Sequence, residues 1–154
     1  MTKAPKSKTG WHITNRHLKY GDERKVYEGE ALVTDGIPVV CHNGMHAEPY
    51  LIKCLYNWLS RGSYICKVVI SGMLANQMST CLWSNSWLNQ KFVGKRRKIL
   101  AMVHKNEFYT ALKELYNLHP NSVKSLNEEE ARQVFNRAVE LRDMMELDYH
   151  KRKK

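Results

Sequence analysis

Ser63-Tyr64-Ile65-Cys66-Lys67-Val68-Val69-Ile70-Ser71 alternates as a strand does, yet it is apolar on both faces. Tyr64, Cys66, Val68 and Ile70 fall on one side and Ile65 and Val69 on the other, because successive side chains of a strand point to opposite faces. A strand with one face in water would keep one of those sets polar. The pattern therefore predicts a central strand covered on both sides, as in a sheet with packed helices or the interior of a sandwich. Just upstream, Glu48-Pro49 is expected to open a helix, since proline is tolerated in the first turn and a carboxylate there complements the helix dipole. Leu51, Ile52, Leu55, Tyr56 and Leu59 follow at helical spacing, and Arg61-Gly62 offers a glycine stop.

Further toward the N-terminus, Trp11-His12-Ile13-Thr14 reads as a short strand, with structure beginning at Gly10. Arg24 to Val33 predicts another, weakened by Gly29, and Ile37 to Cys41 a third, bounded by Asp35-Gly36 and Asn43-Gly44. Downstream, Met73 to Gln90 gives no clear element, and Ile99 to Val103 predicts a strand. Glu107 to Leu118 predicts a helix with Phe108, Ala111, Leu112 and Leu115 on its stripe, stopped by His119-Pro120. Ser125 to Tyr149 is the clearest helix. Ser125 with Glu128 forms a capping-box pattern, and Ala131, Val134, Phe135, Ala138, Leu141 and Met145 make its apolar side, with Met144 and Met145 expected in docked core. The expected fold is α+β: a small mixed or antiparallel sheet packed with helices, plus a long C-terminal amphipathic helix. Its organisation is a flexible basic arm over 1–10, a core domain over 11–118, the docked helix over 125–150 and a basic tail over 151–154.

A chain of 154 residues, 43% hydrophobic and 26% charged, can bury a core without disulfides or metal and excludes wholesale disorder. No window approaches the roughly 20 apolar residues of a membrane span, and MTKAPKSKTG lacks an apolar signal core; a cytoplasmic location is expected. Cys41, Cys54, Cys66 and Cys81 lie in apolar surroundings without a CxxC pair, which reads as buried thiols in a reducing cell. Net charge is +10, and it is segregated: residues 1–25 carry +5, residues 91–105 carry +6 and residues 151–154 carry +4, while the intervening segments are negative. Such clustering attracts phosphates through counterion release.

Two clusters could carry chemistry. Cys41-His42-Asn43-Gly44-Met45-His46 contains zinc-capable side chains, but Asn43-Gly44 is a turn signal and no second Cys/His pair follows at finger spacing. No metal or cofactor is expected from it, and His46 reads as a structural histidine. The second cluster is Lys91-Phe92-Val93-Gly94-Lys95-Arg96-Arg97-Lys98, which follows Trp83 and Trp87. Its cations Lys91, Lys95, Arg96, Arg97 and Lys98 suit phosphates, and Trp83 and Trp87 suit unpaired bases. Walker, GxGxxG and GxSxG motifs are absent from the sequence, which argues against nucleotide hydrolysis and serine-hydrolase chemistry.

The run Cys41-x-x-Gly44-Met45-His46-Ala47, preceded by Trp11-His12 and Tyr20-Gly21-Asp22 and followed by Ser71-Gly72, resembles an uncharacterised family of small phage and bacterial proteins over roughly residues 11–115. The resemblance implies a phage or mobile-element origin, hence a bacterial host cytoplasm, and no reaction. In motif order, His12 on a first strand and His46 before a helix are also similar to the ADP-ribosyltransferase fold. That likeness implies catalytic roles for His12 and His46 in chemistry on NAD or on RNA phosphate. The family's catalytic glutamate has no counterpart between Met73 and Val103, where neither Asp nor Glu occurs. The leading expectation is accordingly a noncatalytic accessory protein that binds nucleic acid, or a host ribonucleoprotein or DNA-bound complex, through its basic segments. An ADP-ribosyltransferase-like enzyme and an inhibitor of a host defence or transcription complex are the alternatives.

Overall fold

The computed structural model describes residues 7–14, 29, 31–33, 45–60, 62–72, 75–78 and 90–152. The stretch from Tyr64 to Ser71 is a strand, β4 in chain order, and it lies between two others. On one side it pairs antiparallel with β1 (Ser7–Thr14), in a register that sets His12 opposite Cys66 and Ser7 opposite Ser71. On the other it pairs with β7 (Arg96–His104), which pairs in turn with β2 (Ala31–Val33). A second antiparallel sheet has β6 (Gln90–Gly94) between β3 (Met45–Ala47) and β5 (Ala75–Met78). Three helices complete the described fold: α1 (Leu51–Trp58), α2 (Lys105–Tyr116) and α3 (Glu128–Arg152), with a 3-10 helix over Pro120–Ser125 before the last. The fold is α+β with antiparallel sheets.

The two faces of β4 are covered by different things. Ile65 joins Trp11, Ile13 and Val103 under the helices, in a core with Leu51, Leu55, Phe108, Leu112, Val134 and Phe135. Cys66, Val68 and Ile70 face the second sheet, packed with Ile99, Met102, Ala47 and Phe92. Burial of two apolar sets by two layers is what the doubly apolar strand required. The first face is thus the helix side of the sheet and the second its interlayer side. On the edge of β1 away from β4, Trp11 and Glu48 exchange backbone hydrogen bonds of 2.8 and 2.9 Å, tying the edges of the sheets together.

Several expectations need correction. β1 starts at Ser7, so residues 7–10 pair with Val68–Ser71 rather than forming free arm. Of the strand expected over Arg24–Val33, Ala31–Val33 is a strand and Gly29 lies in a turn, while its other residues and the strand expected over Ile37–Cys41 lie outside the described residues. Glu48 does not open α1. It sits in the bridge to Trp11, and the first turn of α1 holds no acid. Gly62 does not stop α1 either, because the helix ends at Trp58; a Cβ on Gly62 would lie 2.5 Å from the Ile13 side chain, so glycine there permits close passage over β1. Tyr56 and Leu115 are exposed, as are Met144 and Met145 at 55% and 64%. Lys151 and Arg152 belong to α3 rather than to a tail.

The capping of α3 also differs, with a structural consequence. Asn127 and Glu130 form the reciprocal box, at 2.8 and 3.0 Å, while Ser125 ends the 3-10 helix. Glu128 is thereby released to reach α1, where its carboxylate accepts the backbone N–H groups of Leu51 (2.9 Å) and Ile52 (3.0 Å). Tyr50, the N-cap residue of α1, makes no side-chain cap bond, so the cap comes from 77 residues away in sequence. Burial raises the Glu128 carboxyl above its ordinary value, against the lowering effects of Ile52, Arg132, Leu51 and Lys53. The folded protein thus holds that proton to higher pH than the unfolded chain. Its contribution to stability is fullest at low pH and falls as pH rises through the carboxylate range. Glu128→Ala is expected to lose about 1–2 kcal/mol of stability. In urea titrations its gap from wild type should be widest below pH 4.5, the ordinary carboxyl value, and narrow toward neutrality; a gap that widens with pH would contradict the assignment.

Candidate nucleic-acid interface

The basic run of residues 91–98 is divided by a change of sheet. Phe92 and Val93 belong to β6, where they pair with Ala47 and His46, and Arg96 begins β7 in the other sheet. The corner is Gly94-Lys95, held by the Lys95 N–H donating to the Gly72 carbonyl at 2.9 Å. From there strand alternation takes over. Arg96 and Lys98 are exposed on the helix side, whereas Arg97 points to the interlayer side and is only 5% exposed. The basic run by composition offers all three as phosphate ligands, and the alternation removes Arg97 from that surface. Lys95 is half-buried at the corner. Lys91 pairs with Gln77 through its backbone, and its side chain, with Trp83 and Trp87, lies outside the described set.

The helices cover only half of their sheet face. α3 crosses it from β1, where Phe135 meets the Trp11 ring edge-to-face at 4.9 Å, to β7, where Arg142 donates to the Met102 carbonyl at 2.8 Å. Beyond the row Trp11–Lys67–Ala101 two further rows continue: Thr9–Val69–Lys98–Ala31 and Ser7–Ser71–Arg96–Val33. Ser7, Thr9, Val33, Arg96 and Lys98 are exposed there, and Lys67, Val69 and Ser71 are half-buried. Lys67 leans back to within 6.0 Å of the Trp11 ring centroid. A register shift between Lys67 and Val68 accompanies an extra β7 residue, Leu100, which is exposed. No Asp or Glu stands on this face of the four strands among the described residues.

Electrostatic pairing sharpens the contrast. Arg137 is matched by Glu114 and Glu140, which raise its pKa, while Arg142 is matched by Asp143 and Arg132 approaches Glu128. Among the described residues, Arg96 and Lys98 have no ion pair. Lys67 is a further cation on this face, and it lies outside the basic run of residues 91–98. The available signal was a lone charge on the Ile65/Val69 side of an otherwise apolar strand, which fits only if that part of the face is uncovered.

His12 and His46 occupy neighbouring strands. His12 stands in the row of Cys66 on the interlayer side, the side that Ala47 also faces. His46 alternates with Ala47 and stands two residues before Glu48, on the same parity, placing it on the other side of β3. Alternation therefore does not bring the two imidazoles to one face. His46 contributes its carbonyl, which accepts from Arg97 at 3.2 Å. Burial pulls the Arg97 pKa down to about 10, opposed by the nearby Cys66. Cys54 and Cys66 are buried free thiols; Cys41, His42 and Cys81 lie outside the described residues. Among those described, no three His, Cys, Asp or Glu side chains group as a metal site, and no helix is long and apolar enough to cross a membrane. Neither a family model, nor a curated protein, nor a solved structure matches this chain.

Proposed function

We propose that this chain is a noncatalytic binding protein that engages nucleic acid, or a nucleic-acid-containing complex, through the uncovered half of its four-stranded sheet. One observation carries the reading: Arg96 and Lys98, unpaired and exposed, stand with Lys67 on a face without a carboxylate among the described residues. Alternate residues along β7 are about 6.6 Å apart and adjacent strands about 4.8 Å, a grid comparable with the separation of successive phosphates on a nucleic-acid strand. The hydroxyls of Ser7, Thr9 and Ser71 lie on the same rows and can donate to phosphate oxygens. Contacts of this kind position a backbone and carry no base sequence.

Fluorescence anisotropy with labelled DNA and RNA oligonucleotides, across a salt series, tests the proposal. Three phosphate contacts predict a slope of log affinity on log salt of about −2 to −3. Arg96→Ala/Lys98→Ala should weaken binding at least about tenfold at low salt and flatten the slope by about 2. Arg137→Ala, whose cation is already paired, should leave binding unchanged. Absence of binding at low salt, or indifference to the double variant, would sink the reading. Nuclease-resistant capture by a host protein without any oligonucleotide shift would point instead to a protein partner.

A further inference from the structure

The interlayer side holds a charge that the outer face does not explain. Arg97 is 5% exposed and lies in the row Lys8–Ile70–Arg97–Leu32, between the two sheets. One guanidinium nitrogen donates to the His46 carbonyl at 3.2 Å, and the Nε atom is buried without an acceptor. No carboxylate pairs with Arg97 among the described residues. Lys8 is half-buried in the same row, and its ammonium sits 4.8 Å from the centroid of Phe92, an interlayer residue of β6. Two cations thus enter one end of an otherwise apolar layer from strands that flank β4.

A buried guanidinium satisfied by one carbonyl is costly, because burial removes the hydration of a full charge and, among the described residues, no carboxylate replaces it. A guanidinium is also a planar fork whose neighbouring donors match two oxygens of a carboxylate or phosphate. We infer that Arg97, with Lys8 at the entrance beside the edge of β1, forms a binding site for a small phosphate-type oxyanion between the two sheets. The site is separate from the outer face: Arg96 and Lys98 project from the opposite side of the same sheet. Anion binding there is independent of what the outer face engages.

Thermal unfolding of the full chain in sodium phosphate, against sodium chloride at equal ionic strength, reads the site directly. At ten times Kd, phosphate should raise Tm by about 3–6 °C over chloride. Lys8→Ala should weaken phosphate roughly tenfold, an order of magnitude suited to loss of a charge-assisted contact. Arg97→Lys keeps charge but loses the fork, and should abolish the rise; if that variant does not fold, Lys8→Ala decides. Arg96→Ala/Lys98→Ala should retain the full rise while losing oligonucleotide binding. Inorganic phosphate and adenosine 5′-monophosphate run as separate arms distinguish a free oxyanion from a terminal phosphate group, and a rise with either supports the site. Equal Tm in phosphate, the monophosphate and chloride overturns it. So does a rise that survives in Lys8→Ala and disappears in the Arg96→Ala/Lys98→Ala variant, since the anion would then sit on the outer face.

Discussion

Phe135→Ala is expected to remove about 3–5 kcal/mol of stability, the range for deleting a buried aromatic ring. Phe135 is 1% exposed and packs edge-to-face on Trp11, itself 5% exposed. It belongs to the stripe Ala131, Val134, Phe135 and Ala138 that seats α3 on the helix-side core. The three other members are small, so neighbours have little volume with which to fill the hole, and a large residual cavity is the costly outcome. Loss of the aromatic pair contributes about 0.5–1.5 kcal/mol beyond area alone. Met145→Ala, by contrast, should change stability by less than about 0.5 kcal/mol, because that side chain is exposed. Urea denaturation of both variants checks the contrast: the Phe135→Ala midpoint should fall with an unchanged m-value. A loss below about 1 kcal/mol would mean that α3 is held chiefly by its other contacts, such as Glu128 on α1 and Arg142 on Met102.

The features legible in the sequence are those with a local period. The doubly apolar Tyr64–Ser71 strand predicts its central place, and the stripes of α2 and α3 predict Phe108, Ala111, Leu112, Ala131, Val134, Phe135 and Ala138 as core. What the sequence hides is non-local. Ser125-x-x-Glu128 and Asn127-x-x-Glu130 are equally good capping patterns on paper. Only the approach of α1 gives Glu128 another partner, leaving the box to Asn127 and Glu130. The basic run is similar: its composition announces an anion partner, but not the sheet change at Gly94-Lys95. Without that corner there is no way to know which parity of Arg96, Arg97 and Lys98 faces outward. Extent of cover is hidden too, since Val69 reads as core and is half-exposed where the helices stop.

The corner makes its own prediction, which joins the fold to the proposed interface. Gly94→Ala should cost about 2–3 kcal/mol, near the upper end for inserting a methyl group into packed structure. The added Cβ would lie 2.5 Å from the Ser71 carbonyl oxygen, 2.6 Å from the Ile70 side chain and 3.1 Å from the Gly72 carbonyl oxygen. Two of those neighbours are backbone. They are fixed by the pairing of β4 with β7 and by a left-handed Gly72 (φ +75°) whose carbonyl holds Lys95. Relief must therefore move β6 relative to β7, and that movement disturbs the register of Ser71 with Arg96 and Val69 with Lys98. Gly94→Ala should consequently weaken oligonucleotide binding even at temperatures where it is fully folded. Gly29→Ala is the matched comparison. Gly29 also has a left-handed backbone (φ +83°), but a Cβ there meets nothing within 4 Å, so its cost should be about 1–2 kcal/mol of conformational strain alone, without loss of affinity. If Gly94→Ala lost stability yet bound oligonucleotides as wild type does, the spacing of Arg96 and Lys98 would not depend on the corner. Binding would then rest on charge density rather than on the grid of the sheet.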